Sequence, residues 1–211
     1  MTGLQFTLLS DGSSDQVLIP ILRWLLGRHG IMGPIVSTWA DLGRLPHPPQ
    51  TLPDRVRLAI DLYPCDLLFL HRDAERVRLE SRKAEIKSAL QGLAESAPPV
   101  VCIIPIRMQE AWLLIEEAAI RQAAGNRHGL APLSMPKIRE LEWIPDPKAV
   151  LHGLLRQASG FHGHRLTKFP VRQRAHLVTE LIRDFSPLLH LSAFQQLDAD
   201  LRETVPALAS R

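Results

Sequence analysis

The order of the apolar segments constrains the fold of this chain more than any other feature of its sequence. Four short, β-prone runs alternate with segments whose apolar residues recur at helical spacing. The runs are Leu4–Leu9, Ile35–Trp39, Asp66–Leu70 and Val100–Ile106. After residue 125 the strand patterns stop and only helical patterns follow. This order predicts an α/β fold with an open, mostly parallel four-stranded sheet flanked by helices.

The helical segments predict how the chain divides. We expect an α/β core over residues 1–125 and a helical C-terminal extension over residues 126–211 that packs on the core. Core helices are predicted after Ser14 and over Pro53–Leu62, Arg76–Ala97 and Met108–Ala124. In the extension we predict helices from Asp146 to Gln157, over Val171–Phe185 and over Ser192–Thr204, with a polar, basic loop over Gly160–Lys168.

Composition narrows the class of protein. The chain has 211 residues and a formal charge of +3, which suits one sizeable core and does not by itself indicate a nucleic-acid binder. Cys65 and Cys102 lie in or beside apolar runs and are expected to be free thiols. The chain shows no signal-peptide pattern and no apolar run near the roughly 18 residues of a membrane span, so we expect a cytoplasmic protein without a membrane partner. The tryptophans are expected to anchor packing: Trp24, Trp39, Trp112 and Trp143.

Acidic residues follow three of the four predicted strands. Asp11 and Asp15 come after the first strand, Asp73 and Glu75 after the third, and Glu110 after the fourth. Three further polar residues occur at the same strand ends: His71, Arg72 and Arg107. Ligands of open parallel sheets bind beyond the carboxyl ends of the strands. Crowded carboxylates need a cation among them, and hard oxygen ligands suit Mg²⁺ or Mn²⁺, which catalyse phosphoryl chemistry.

Each of these residues also has a structural interpretation. Asp11 could shape a turn, and Asp15 could favour the positive end of a helix. Asp73 and Glu75 could do the same for the next helix. His71 could be a buried, hydrogen-bonded histidine. Arg107 and Glu110, which are three residues apart, could form a plain surface ion pair.

Several segments carry a resemblance to a known family. The segment LLSDGSSDQVLIPIL resembles the first motif of Toprim domains, and DLLFLHRDAE resembles the second, a strand ending in Asp-x-Asp. The motifs HRDAE, IPIRMQEAWLL and LEWIPDPK together resemble an uncharacterised bacterial family of Toprim-like proteins. The resemblance covers Leu8 to Ser159. It is more distant to the overcoming-lysogenisation-defect nucleases, and several anti-phage systems pair such a Toprim nuclease with an ATPase.

The resemblance implies a nuclease-like site that depends on Mg²⁺ or Mn²⁺. Asp11 takes the place of the family's glutamate, Asp15 matches the aspartate that follows, and Asp73 matches the second acid of Asp-x-Asp. Glu75 and Glu110 would be further metal ligands, and Glu110 would act with Asp73 in catalysis. His71 departs from the pattern, because it stands where the family has an aspartate; it would be a ligand or a general base. Arg72 and Arg107 would hold phosphate.

Two other groups of residues have alternative interpretations. The first is a basic patch that either contacts a nucleic-acid backbone or is a solvated surface. Its residues are Phe161, His162, His164, Arg165, Lys168, Arg172 and Arg174. Asp146 and Pro147 are typical of a helix start, with Lys148 expected to be solvated. No GxxxxGK[ST] motif is present, so the chain is not expected to hydrolyse ATP.

Three functions follow from these patterns. The first is a metal-dependent Toprim-like nuclease or phosphodiester hydrolase, in a bacterial defence or mobile-element module according to the resemblance. The second is a non-catalytic Toprim-derived adaptor or binding module that works with a partner ATPase. The third is an enzyme acting on a small phosphate compound. Nucleic acid is the expected macromolecular ligand of the first.

Overall fold

A central sheet of four parallel strands organises the fold in the computed structural model, which describes residues 3–74, 79–94 and 96–209. The strands are β1 (Leu4–Leu9), β2 (Ile35–Trp39), β3 (Leu67–His71) and β4 (Val100–Ile103), in the order β2-β1-β3-β4. Leu4 pairs with Ile35 and Phe6 with Leu67, which sets the register around the central strand β1. The predicted open parallel sheet flanked by helices is confirmed.

Continuous apolar sequence makes the central strands the middle of the core. All five residues of β3 are buried, which requires cover on both faces of the sheet. Phe6 and Phe69, on the paired strands β1 and β3, meet edge to face with ring centroids 5.2 Å apart. One core cluster joins Leu68 and Leu70 of β3 to residues of the helices that follow β2 and β3.

Three helices follow the first three strands. They are α1 (Leu18–Arg28), α2 (Leu52–Leu62) and α3 (Leu79–Leu90). In α1 the apolar residues at spacings of three and four are buried, and Pro20 is tolerated because it lies in the first turn. Thr51 caps α2, since its hydroxyl accepts a hydrogen bond from the Asp54 N–H at 3.3 Å.

The C-terminal region is helical, as predicted. Its helices are α4 (Glu117–Ala123), α5 (Pro147–Ser159), α6 (Gly163–Thr167), α7 (Val171–Leu181) and α8 (Ser192–Ala209). Asp146 caps α5, because its Oδ1 accepts from the Ala149 N–H at 2.8 Å, and Gly160 ends the helix at a φ of 66°. The capping interpretation of Asp146 and Pro147 is therefore confirmed.

Three expectations about local structure are wrong. The segment predicted as one helix over Met108–Ala124 is a 3-10 helix over Gln109–Leu113 followed by the short α4, because Glu116 is extended and interrupts it. The predicted loop over Gly160–Lys168 contains α6. Trp112 is buried as expected, whereas Trp143 is 78% exposed, since it ends a 3-10 helix over Ile138–Trp143 that buries only Leu141.

The chain forms two compact units. The first comprises the chain up to Ile106 together with the segment from Gln196 onward, and the second comprises Arg107–Gln195. The sequence suggested a boundary at residue 125 instead. The reason for the difference is that Gln109–Leu113 and α4 pack against α5 and α7, within the second unit.

Within the described ranges, no helix combines the length and apolar character needed to cross a membrane.

Candidate functional site

The carboxyl ends of β1 and β3 lie at the same edge of the sheet, because the two strands are parallel and paired. Asp11 and Asp15 follow β1, and Arg72 and Asp73 follow His71, the last residue of β3. All five residues belong to the first unit. The sequence-based expectation that these strand ends deliver polar side chains to one place is thus met for this unit.

His71 lies between two carboxylates, and we call Asp15, His71 and Asp73 the acid–histidine cluster. The Nε2 atom of His71 is 3.2 Å from Asp73 Oδ1, and its Nδ1 atom is 3.4 Å from Asp15 Oδ2. The Asp15 contact is an ion pair at the outer limit of hydrogen bonding, since Nδ1 has no well-aligned acceptor among the residues that the structure describes. The side chains are buried to different extents: 2% of His71, 7% of Asp15 and 21% of Asp73 is exposed.

Asp15 is held by its own turn as well as by His71. Its carboxylate accepts a hydrogen bond from the Gly12 N–H at 3.2 Å and from the Ser14 hydroxyl at 3.0 Å. Burial of the Asp15 carboxyl would raise its pKa. The hydrogen bonding and charge of His71, with the Gly12 and Ser14 donors, outweigh that effect and lower the pKa below its usual value. Asp15 lies in the first turn of a 3-10 helix over Ser13–Val17, which agrees with its structural interpretation.

His71 is held in its charged form by its neighbours. Burial alone would lower the pKa of the imidazole, because it disfavours the charged ring. Hydrogen bonding and charge from Asp15 and Asp73 act in the opposite direction and raise the pKa to about 9. With this pKa the ring is protonated at neutral pH, and a metal ion would have to displace a proton from the imidazole in order to bind it.

Asp11 is paired with two arginines. Arg55, in the first half of α2, donates to its Oδ1 atom and also to the Ser10 carbonyl oxygen. Arg72 donates to the same Oδ1 at 3.0 Å and to Glu85 of α3 at 3.1 Å. Arg72, expected to hold phosphate, is thus bound to two carboxylates of the protein itself. Half of the Asp11 side chain, 52%, remains exposed.

Glu110 and Arg107 belong to the second unit. Glu110 is buried in the Gln109–Leu113 turn, and its Oε1 atom is 2.9 Å from Lys148 Nζ at the start of α5. Lys148 is 45% exposed, so it is solvated in part as expected, but the first turn of α5 also brings it to a buried carboxylate, which was not expected. Glu110 pairs with Lys148, so the ion pair expected between Arg107 and Glu110 is not the one formed. Glu75 lies outside the described residues.

Sequence reasoning missed the two cations that matter most here. Arg55 reaches Asp11 across 44 residues of sequence, and nothing in the spacing of α2 links the two. Lys148 was noticed but assigned to solvent. A signal for its role does exist in principle, because a lysine at the second position of a capped helix is unfavourable next to the helix dipole unless a carboxylate compensates.

The described acids do not fit a divalent ion as they are placed. Asp15 contacts Nδ1 of His71 and Asp73 contacts Nε2, so each carboxylate is paired with a different ring nitrogen. Asp11 is ion-paired with two guanidinium groups, and Glu110 is ion-paired with an ammonium group. Over residues 3–74, 79–94 and 96–209, no three His, Cys, Asp or Glu side chains are grouped as metal ligands.

A polar cleft of roughly 700 Å³ opens beside Asp11 in the first unit. Its walls include Ser10, Gly12, Trp39, Asp41 and Arg55. The Trp39 indole N–H donates to the Ser10 hydroxyl at 2.9 Å, which fixes the aromatic ring at the wall. The cleft offers hydrogen-bond donors and acceptors but little net charge, because its arginines are already paired with aspartates.

The two cysteines are free thiols, as predicted, and each is partly buried. Burial raises the pKa of both, and that of Cys102 reaches about 11, with the Asp200 carboxylate adding to the effect of burial. Both thiols therefore stay protonated at neutral pH and do not act as nucleophiles.

Comparison of the chain with protein-family models, with curated proteins and with solved structures gives no match in any of the three. The similarity to Toprim domains rests on the sequence motifs alone and stays a prediction.

Proposed function

We propose that this chain is a non-catalytic, Toprim-derived binding or adaptor module that works with a partner protein. One observation supports this function over the others. Each described carboxylate expected to bind a metal ion is instead paired with a cation of the protein: Asp11 with Arg55 and Arg72, Asp15 and Asp73 with His71, and Glu110 with Lys148.

The charges at the strand ends support the same proposal. In a metal-dependent hydrolase, several carboxylates share a divalent cation that neutralises them. Here protonated His71 takes over that role for Asp15 and Asp73, at the position where Toprim domains have an acid. A divalent ion would have to displace the imidazolium from a buried site, and removing one partner of such a pair is strongly destabilising.

The cleft beside Asp11 is the part of the first unit that best suits a bound partner segment or ligand. Its volume, roughly 700 Å³, lies in the range of ordinary ligand sites. The ion pair between Arg44 and Asp41 and the indole of Trp39 give it polar and aromatic surfaces. A partner ATPase is the protein that the sequence resemblance suggests.

A cleavage assay tests the proposal. The full chain is incubated with single-stranded DNA, duplex DNA, RNA and an aryl phosphodiester, each with Mg²⁺ and with Mn²⁺. The expected result is that the wild type cleaves no substrate faster than the variant Asp73→Ala does. The Asp73 side chain is partly exposed, and circular dichroism checks that the variant folds. Metal-dependent cleavage by the wild type that Asp73→Ala abolishes would overturn the proposal.

The second candidate is the metal-dependent nuclease or phosphodiester hydrolase, with Mg²⁺ or Mn²⁺ as cofactor. The observation in its favour is that Asp11, Asp15 and Asp73 all follow β1 or β3 at one edge of the sheet. The bacterial defence context applies to both candidates and comes from the sequence resemblance. The same cleavage assay separates the two, since only the hydrolase loses activity in Asp73→Ala.

A further inference from the structure

A long segment of the second unit carries cations but no acids. Between Pro147 and Thr179 the sequence has no Asp or Glu, but it has six Lys or Arg and four His residues. The whole chain has a formal charge of +3, so the rest of the chain is net acidic. The segment covers α5, α6 and α7. Positive and negative residues are thus segregated along the chain. On an ordinary solvated surface they are interspersed.

Most of these cations are exposed. We call the exposed set the basic face: Arg156, His162, His164, Arg165, Lys168 and Arg172. In the part of the chain that the structure describes, none of the six forms an ion pair with a carboxylate. Arg174 is different, because its Nη1 atom donates to the Ala123 carbonyl oxygen at 3.1 Å and so has a structural role.

The helices of this segment bring the cations together. Helix α5 packs against α7, and Val171, Ala175 and Val178 form the buried side of α7. The exposed Arg172 lies in the first turn of α7. The pKa of His152 on α5 is lowered, first by burial and then by the positive charges of Arg156, Lys148 and Arg172. Arg172 on α7 is therefore close enough to His152 to act on its charge. The basic residues of α5 and α7 therefore act on the same region of surface.

An aromatic contact fixes α6, the short helix between α5 and α7. The rings of Phe161 and Phe169, on either side of α6, meet edge to face with centroids 6.1 Å apart. Phe169 is buried, while Phe161 is 41% exposed. Arg165 of α6 and Lys168, which follows the helix, are thus held beside an exposed aromatic ring.

We propose that the basic face binds the phosphodiester backbone of a single-stranded nucleic acid. Unpaired cations release counterions when they contact successive phosphates, which gives affinity that depends on salt but not on sequence. An exposed aromatic ring beside them can stack on a base, the combination found at single-strand binding surfaces. A protein partner would need a larger apolar centre than the half-exposed ring of Phe161 provides. The inference does not depend on the state of the acid–histidine cluster.

Fluorescence anisotropy with a labelled oligonucleotide tests this binding. The full chain is titrated in the presence of a metal chelator over a range of salt concentrations, so that binding is separated from any metal-dependent cleavage. The wild type is expected to bind, with an affinity that falls linearly in a double-logarithmic plot against salt. The triple variant Arg165→Gln, Lys168→Gln, Arg172→Gln is expected to weaken binding at least about tenfold and to lower the salt slope by about 2 to 3.

The chain offers a control with the same change of charge. Arg57, Lys83 and Arg139 are exposed but paired with neighbouring acids. Replacing these three by glutamine should leave the affinity within about twofold, because the removed charges were already compensated. An equal loss in both triple variants would show an effect of net charge alone and overturn the proposal. Absence of binding at low salt, or tighter binding to anionic lipid vesicles or to polyglutamate than to the oligonucleotide, would overturn it too.

Discussion

At the scale of single residues, His71 places a positive charge between two acids at the end of β3. Two aspartates that would otherwise repel each other flank an imidazolium, with Asp73 3.2 Å from Nε2 and Asp15 3.4 Å from Nδ1. The same three side chains would form part of a metal site only if histidine were neutral and the carboxylates converged. The chemistry of this edge therefore depends on the protonation state of one ring.

The first prediction is a pH dependence of stability. The pKa of His71 is about 9 in the folded chain and about 6.5 in the unfolded chain, so protonation favours the folded form. This stabilisation is complete below pH 6.5 and is lost as the pH rises through about 9, and it amounts to at most about 3 kcal/mol. Urea unfolding at pH 6.5 and at pH 9 should show a larger decline for the wild type than for His71→Gln. Equal declines in the two proteins would contradict the ion-paired imidazolium.

The second prediction concerns Asp15. The variant Asp15→Asn keeps the size of the side chain but removes the charge that balances His71, so the free energy of unfolding should fall by about 3 kcal/mol at pH 6.5. The matched control is Glu80→Gln, which removes an acid from the exposed pair with Lys83 and should change stability by less than about 0.5 kcal/mol. Similar effects of the two substitutions, measured by urea unfolding, would mean that Asp15 is not a structural ion partner.

At the scale of elements, helix and strand patterns were predictable where local sequence decides them. The strands β1 and β2 have the predicted bounds, and the Asp146 cap starts α5 where the sequence indicates. The 3-10 helix over Gln109–Leu113 was not predictable from its apolar spacing, because the extended Glu116 breaks a pattern that a continuous helix would satisfy equally well. Tertiary packing overrides propensity there.

The third prediction belongs to the contact between that 3-10 helix and α5. In Lys148→Met the buried Glu110 carboxylate loses its ion partner, and its other oxygen, Oε2, already has no hydrogen-bond donor among the described residues. The free energy of unfolding should fall by about 2 to 3 kcal/mol. Lys137→Met, at an exposed lysine of the same unit, should have little effect.

A double-mutant cycle confirms that the effect comes from this pair. Adding Glu110→Gln to Lys148→Met should recover part of the lost stability, because no buried charge is then left without a partner. Strictly additive effects of the two substitutions in urea unfolding would show that the two side chains do not interact energetically.

At the scale of the whole molecule, the sequence predicted the sheet and the edge at which the candidate site lies. It did not predict which cations of the protein pair with the acids there. The carboxyl ends of paired parallel strands share one edge, so the placement of Asp11, Asp15 and Asp73 at that edge followed from strand order alone. The partners that neutralise Asp11 come from α2 and from the residue after β3, and their contact depends on how helices pack on the sheet. No periodicity in the sequence carries that information.

The segregation of charge is a second property of the whole chain. The acids at the strand ends lie in the first unit and are compensated internally, while the cations of the basic face lie in the second unit without carboxylate partners among the described residues. This division fits a module that binds a polyanion without acting on it.

Calorimetric titration of the full chain with Mn²⁺ tests the central claim most directly, with Asp73→Ala and His71→Asp measured beside it. Because His71 neutralises Asp15 and Asp73, the wild type should show no saturable binding heat. His71→Asp creates an acidic pair at the end of β3 and should acquire Mn²⁺ binding. Saturable binding by the wild type that is lost in Asp73→Ala would contradict the claim and identify a working metal site.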